Sequence, residues 1–206
     1  MYRQTWRDGF YWEEEAYILE AAANRILDAW QKACELHKSG HFDGKSIDDY
    51  RYLLCHNEIQ MFPTYMLLMG YALENIIKGI IICQLSLNDP ASVTKTNFSN
   101  LEFNLKDGKG KRGIQTHKFL DELLKAEAIN ITPSDPEKDL LKEIEDCILW
   151  GGRYPIPNKV KSNETFTSPT AIIYMSPRRS KQIKALYEKW IKELHRLIAL
   201  QMREKS

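Results

Sequence analysis

The chain has 206 residues, of which 43% are hydrophobic and 28% are charged, and its formal net charge at neutral pH is +1. This length suits one domain with a sizeable buried core, and the composition excludes a disordered chain. The near-zero net charge excludes a protein that binds nucleic acid or membranes over its whole surface, although it is compatible with local charged patches.

Two long helices are predicted in the first half of the chain. Residues 13–38 carry apolar side chains at steps of three and four, in a stripe that starts at Ile18, and a Ser-Gly pair follows. After a loop, residues 49–56 are predicted to form a short helix. The second long helix is predicted over 61–87, with Pro63 in its first turn, and its broad apolar face indicates the central helix of the fold.

A polar stretch separates these helices from the second half of the chain. Residues 89–113 are rich in Asn, Ser, Thr, Gly and Lys, which predicts an exposed loop. One short strand within it is predicted from Phe98, Leu101, Phe103 and Leu105. A third helix is predicted to open at Thr116 and to turn Leu123 and Leu124 inward.

Two further helices complete the predicted fold. Ser134 opens the fourth helix, because an N-cap residue followed by Pro136 and Glu137 is a strong start signal. The last helix follows Pro177 and places seven apolar residues on one side: Ile183, Leu186, Tyr187, Trp190, Leu194, Leu197 and Ile198. Five helices with little strand predict an all-α helical bundle.

The cysteines and the apolar segments bear on where the protein resides. Four cysteines, none in a CxxC pair, include three within apolar helical patterns, where a free thiol is usually a small core residue. This favours a reducing, cytoplasmic setting. Residues 1–15 lack the apolar run of a secretory signal, and the longest uncharged stretch, 59–73, is too short to span a bilayer. We therefore expect a soluble protein with no membrane partner.

Metal and cofactor sites are not expected. Cys34, His37 and His41 have a spacing that zinc could use, with Asp43 near, but a Ser-Gly pair would break the helix and no second pair completes four ligands. Residues 108–113 match GxGxxG. The dinucleotide-binding fingerprint, however, needs a clearly predicted strand before it, within a βαβ unit, and the sequence shows neither. A mobile basic loop is therefore the better interpretation.

Basic residues are concentrated in two loops. Residues 105–118 carry five Lys/Arg against Asp107 alone, and residues 153–184 carry seven against Glu164 alone. If the two loops meet at one end of the bundle, they could hold phosphates. Two unrelated solvated loops are the alternative.

Two further groups of residues are candidate site residues. Glu74 and Lys78 lie one turn apart on the most apolar helix, beside Asn75, so this polar group faces either solvent or a polar pocket. We favour the pocket, with Arg153 as a neighbour. Arg153 and Tyr154 lie between two glycines and two prolines in residues 150–157, and such a stiff loop gives the arginine a fixed direction.

Three segments in this order resemble the HEPN family, the higher eukaryote and prokaryote nucleotide-binding helical domain. Residues 70–79 are similar to its core helix with Glu and Lys at this spacing, residues 116–124 resemble its "THxLxxL" helix start, and residues 153–155 resemble its "RYP". The resemblance implies an up-and-down bundle of four to five helices and a homodimer. It also implies one domain over 1–206, with a core of about 13–202, an arm at 1–12 and long loops at 89–113 and 151–177.

Family members include RNases of toxin–antitoxin and defence systems and noncatalytic domains proposed to bind nucleotides or RNA. The RNases carry R-x(4–6)-H, but no histidine follows Arg153 at that spacing. Literal matches occur at Arg51 with His56 and at Arg112 with His117, away from the family's position; the second lies on the basic loop and is the one catalytic pair to consider.

The sequence thus predicts a HEPN-like bundle that binds a nucleotide or RNA phosphate without catalysing a reaction. Arg153 would pair with the phosphate in two places and Tyr154 would offer a stacking face. Further donors would be Lys78, Arg112 and His117. A metal-independent RNase and a ligand-free protein–protein interaction bundle are the alternatives, and the resemblance implies a nucleotidyltransferase or antitoxin as a partner.

Overall fold

The structure is a computed structural model that describes residues 7–39, 47–90, 93, 100–118, 122–148 and 177–204, and the side chains of all these except 33–34, 36–39, 47–63 and 177–178. The described part is mostly helical, as predicted. It contains helices α1 (Gly9–Ser39), α2 (Ile47–Asn88), α3 (Asp135–Asp146) and α4 (Pro177–Glu204) and strands β1 (Glu102–Asn104) and β2 (Lys111–Gly113).

Helix α2 is the central helix, as its apolar face predicts. It packs against α1, α3 and α4, and its side chains at Leu73, Ile76 and Ile77 are completely buried. The predicted break between residues 49–56 and 61–87 is wrong, because one helix of 42 residues runs through Pro63. A proline inside a helix removes one backbone hydrogen bond, a loss that extensive burial of the helix face offsets.

Part of α2 has the composition of a membrane span. Among the described residues, Thr64–Asn88 is long and apolar enough to cross a bilayer, but 78% of its most apolar window is buried inside the protein. The core helix of a globular protein passes the same test of length and hydropathy, so burial against the other helices accounts for the composition.

Close contacts at two glycines show the directions of α1, α2 and α4 relative to one another. A Cβ added to Gly9 would lie 2.6 Å from Cys83 Sγ and 2.6 Å from Ile198 Cγ1, so the start of α1 touches the last turns of α2 and α4. A Cβ added to Gly79 would lie 2.9 Å from Trp12 Cβ and 3.0 Å from Leu194 Cδ1. Helix α1 is therefore antiparallel to both α2 and α4.

The buried face of α1 differs from the predicted stripe. The helix begins at Gly9, before the predicted start, and its buried residues are Trp12, Ala16, Ala23 and Trp30. Ile18, the first residue of the predicted stripe, is 57% exposed. Two tryptophans bury more apolar area than the smaller stripe residues, so they decide which face turns inward.

The predicted loop 89–113 contains a β-hairpin. Strands β1 and β2 pair antiparallel, with Phe103 opposite Arg112, and the turn includes Gly108 and Gly110 with positive φ. Leu101 and Phe103 are buried, as expected of a strand that packs on a core, whereas Phe98 lies outside the described residues. The literal GxGxxG of residues 108–113 is thus a hairpin turn and a strand, not a nucleotide-binding loop that leads into a helix.

The predicted third helix is wrong over its first residues. Residues 116–118 are not helical; the described part that follows forms a 3-10 turn at Leu123–Lys125, with Leu123 and Leu124 buried as predicted. The hydroxyl of Thr116 accepts a hydrogen bond from the backbone N–H of Lys118 at 3.1 Å. Such a local bond gives the backbone an alternative to the helix.

The predicted start of α3 is confirmed. The backbone N–H and the hydroxyl of Ser134 donate to Glu137 Oε2 at 2.7 and 2.9 Å, and Lys189 Nζ of α4 donates to Glu137 Oε1 at 2.8 Å. The same carboxylate therefore caps α3 and ties it to α4. All seven residues predicted to form the apolar side of α4 are buried.

The Glu137 carboxylate makes stability depend on pH. Burial alone would raise its pKa, but hydrogen bonds from Lys189 and Ser134 outweigh burial and lower it. A carboxyl with a lowered folded pKa stabilises the protein above its unfolded pKa, and this stabilisation is lost as the pH falls through the folded value. We expect Glu137→Gln to reduce the free energy of unfolding by about 1 kcal/mol at pH 7 and by almost nothing at a pH below the folded pKa of the carboxyl.

Urea unfolding at both pH values measures this difference. Glu188→Gln is the matched control, because Glu188 is an exposed residue of α4 and should change little at either pH. An equal loss of stability for Glu137→Gln at both pH values would contradict the role of the carboxylate charge.

Candidate functional site

A buried ion pair lies in the C-terminal half of α2. Lys78 Nζ donates to Glu74 Oε1 at 2.6 Å, and the side chains are only 6% and 5% exposed. A spacing of four residues brings both side chains to one face of the helix. Two charges in a core are tolerated only when they are paired, and here the pair is buried and does not face solvent. The predicted neighbour Arg153 lies outside the described residues.

His117 completes the cluster. Its Nδ1 lies 2.8 Å from Glu74 Oε2, so Glu74 holds Lys78 with one oxygen and His117 with the other. The side chain of His117 is 39% exposed, whereas those of its two partners are buried. We call Glu74, Lys78 and His117 the α2 cluster.

The hairpin leads the chain to the position where His117 contacts Glu74 of α2. The backbone N–H of Ile114 donates to the carbonyl of Leu101 at 2.9 Å, directly after β2 ends. Ile114 is completely buried, so this point of the chain is fixed against the core. The next three residues lead from it to His117.

The contact with Glu74 determines what the imidazole can do. An ionised carboxylate accepts hydrogen bonds only, so Nδ1 of His117 must carry the proton. Nε2 has no hydrogen-bond partner among the residues that the structure describes. The carboxylate therefore fixes the tautomer of the ring: Nε2 accepts a hydrogen bond when the ring is neutral and donates one, for example to an anion, when it also carries a proton.

Tyr71 lines the same site and was not predicted. Its ring centroid lies 6.3 Å from that of His117, at an interplanar angle of 65°. Tyr71 precedes Glu74 by three residues and Lys78 by seven, and this spacing on one helix face was the signal that could have identified it. Asn75, a predicted site residue, is half-buried next to Glu74 and makes no hydrogen bond to another described residue.

Arg112 lies on the hairpin and not in the cluster. Its guanidinium is exposed, and Nη1 donates to the backbone carbonyl of Lys111 at 3.3 Å. Within the described ranges, no hydrogen bond or ion pair joins Arg112 to Glu74, Lys78 or His117. The predicted site residues Arg153 and Tyr154 lie outside those ranges.

A second histidine has a similar local geometry elsewhere. His195 Nε2 of α4 lies 2.7 Å from Glu13 Oε1 and 3.2 Å from the Tyr17 hydroxyl, both of α1, and its side chain is 42% exposed. It differs from His117 because its carboxylate partner is not held by a buried lysine. His195 therefore serves as a matched control for any effect attributed to His117.

Thiol and metal chemistry have no support in the described part of the chain. Burial, followed by the charge of Asp146, raises the pKa of Cys147 to about 11, so the thiol stays protonated and is a poor nucleophile. No group of three His, Cys, Asp or Glu residues among those described could hold a metal ion. The side chains of Cys34, His37, His41 and Asp43 are outside the description.

Comparison with known proteins yields no relative: no family model, no curated protein and no solved structure matches the chain. What the site can do therefore follows from its own residues and geometry.

Proposed function

We propose that this protein binds the phosphate group of a nucleotide or of RNA at the α2 cluster, as a binding module and not as an enzyme. The observation that carries the proposal is the contact between His117 Nδ1 and Glu74 Oε2, which leaves a half-exposed imidazole positioned by a buried carboxylate.

The charges of the cluster favour an anion. Lys78 compensates the charge of Glu74 from inside the core, so the carboxylate does not present an uncompensated negative charge to a ligand. An imidazolium at His117 then donates through Nε2 to a phosphate oxygen, and charge-assisted bonds of this kind are short and strong. Tyr71 offers an aromatic face next to the same ring, which suits a ligand that carries a base.

The resemblance to the HEPN family supports the same ligand class. The cluster is built from residues 70–79 and 116–124, two of the three segments that carry the resemblance. The proposal therefore includes a HEPN-like bundle that forms a homodimer in a toxin–antitoxin or defence system. Light scattering coupled to size-exclusion chromatography tests the dimer, because a monomer at all concentrations would contradict that part.

Replacing His117 with alanine is expected to weaken the binding of AMP by about tenfold to a hundredfold, because one hydrogen bond to a charged group is lost. Isothermal titration calorimetry measures the affinity. His195→Ala should leave it unchanged, since His195 has a similar exposure and a carboxylate partner but lies at the seam of α1 and α4. Equal effects of the two substitutions, or no binding by the unaltered protein, would overturn the proposal.

A metal-independent RNase is the second candidate, and one observation favours it. An imidazole oriented through Nδ1, with Nε2 available, is the arrangement of a general acid or base, and Arg112 precedes it by five residues. Incubation of a labelled RNA with the protein in EDTA decides between the candidates. Cleavage that His117→Ala and Arg112→Ala abolish would establish the RNase, whereas intact RNA with retained binding would establish the binding module.

A further inference from the structure

The β-hairpin carries exposed positive charges and shortly precedes the proposed phosphate site in the chain. All five basic residues of 105–118 are exposed, namely Lys106, Lys109, Lys111, Arg112 and Lys118. Lys118 faces Glu122 at 3.8 Å, but the ammonium groups of the first three have no ion-pair partner among the described residues. The one acid in this segment, Asp107, accepts a hydrogen bond from the backbone N–H of Lys109 at 3.0 Å and shapes the turn.

The strand register distributes these charges along the hairpin. Phe103 faces the core, and Arg112 lies opposite it on the same face, whereas Asn104 and Lys111 share the outer face. Lys109 lies in the turn between two glycines of positive φ. From the turn at Lys109 to the end of β2 at Gly113 the chain can extend over roughly 13 Å, at about 3.3 Å per residue, and such a length faces more than one phosphate of a nucleic-acid strand.

The hairpin has a fixed relation to the phosphate site. Phe103 and Ile114 are buried, and Ile114 precedes His117 by three residues, so the core holds both the hairpin and the imidazole. Unpaired cations held close together repel one another, and a polyanion that contacts several of them relieves this repulsion and releases its own counterions.

We propose that the hairpin extends the phosphate site at His117 into a surface for an RNA strand, so that the ligand is a polynucleotide. This inference rests on the proposed function and makes it specific: the α2 cluster contacts one phosphate, and the hairpin lysines contact further phosphates of the same strand.

Affinity for a labelled 12-nucleotide RNA, measured by fluorescence anisotropy at several salt concentrations, tests the inference against calorimetry with AMP. We expect the RNA to bind at least tenfold more tightly than AMP. With one contact at His117 and three at the hairpin, log K should fall with log salt at a slope of about −2.8, since each phosphate contact of a single strand contributes about −0.7. Lys109→Ala/Lys111→Ala should weaken RNA binding about tenfold, reduce the slope by about 1.4 and leave AMP binding unchanged.

The matched control is Lys181→Ala/Lys184→Ala, which removes two exposed lysines of α4 and should change neither affinity. An RNA affinity and salt slope that are unaffected by Lys109→Ala/Lys111→Ala would overturn the inference. Binding of the hairpin lysines to vesicles of anionic phospholipid in place of RNA would also overturn it. If AMP binds in a His117-dependent manner but RNA binds no more tightly, only the hairpin inference fails, whereas the loss of both ligands refutes the proposed function as well.

Discussion

Replacing Glu74 with leucine is expected to lower the free energy of unfolding by about 3–5 kcal/mol. Lys78 would keep its charge in the core without its carboxylate partner, and an uncompensated buried charge is among the most destabilising changes a substitution can make. The same substitution removes the group that orients His117, so ligand binding should fall together with stability. Urea unfolding and AMP calorimetry measure the two losses on the same protein.

A surface pair of the same spacing is the control. Lys118 and Glu122 are also four residues apart, but they are 52% and 23% exposed, so Glu122→Leu should cost less than about 1 kcal/mol. Glu74→Leu/Lys78→Met should recover most of the stability, because apolar residues of similar volume replace both charges. It should not recover AMP binding. A loss for Glu74→Leu no larger than that for Glu122→Leu would contradict the buried pair.

Replacing Phe103 with alanine is expected to have the second-largest effect, a loss of about 3 kcal/mol in the free energy of unfolding. The ring is 2% exposed, and truncation of a buried phenylalanine removes apolar burial and leaves a cavity. Each hairpin strand has only three residues, and so short a hairpin is unstable without packing on a core. We therefore expect the hairpin to undock and RNA affinity to fall with it.

Hydrogen exchange of the hairpin amides separates undocking from global unfolding. In Phe103→Ala, the N–H of Ile114 should exchange faster than the amides of α2, while Phe103→Leu should lose less than about 1.5 kcal/mol and keep the hairpin protected. Ile18→Ala removes a large apolar side chain that is 57% exposed and should change stability by less than about 0.5 kcal/mol. Unchanged protection of Ile114 in Phe103→Ala would contradict the anchoring role of the ring.

Local patterns in the sequence predicted the helices and their ends correctly where the patterns were strong and continuous. The apolar residues of α4 recur over the full helix, and every one of the seven predicted is buried. The start of α3 was predictable because a capping residue, a proline and a glutamate act on the backbone next to them. The polar pair on α2 was predicted to need a partner in a pocket, because a charge on a buried face cannot stay uncompensated.

The predictions were wrong where contacts between distant parts of the chain determine the local structure. The buried face of α1 carries Trp12 and Trp30, and the spacing of apolar residues alone could not predict that this face, and not the stripe from Ile18, is the buried one. Residues 111–113 became a strand because they pair with β1, and nothing in Lys-Arg-Gly itself favours a strand. The pairing of Glu74 with His117 joins residues 43 positions apart, so each was a candidate singly but their contact required the fold.

The ring signals of the histidines in an NMR titration with AMP test the central claim most directly. The Cε1–Hε1 signal of His117, assigned through His117→Gln, should shift progressively and saturate as AMP is added, while that of His195 should stay in place. In Glu74→Leu/Lys78→Met, the His117 signal should no longer respond. A His117 signal that remains fixed in a large excess of AMP, or one that moves only together with that of His195, would contradict phosphate binding at the α2 cluster.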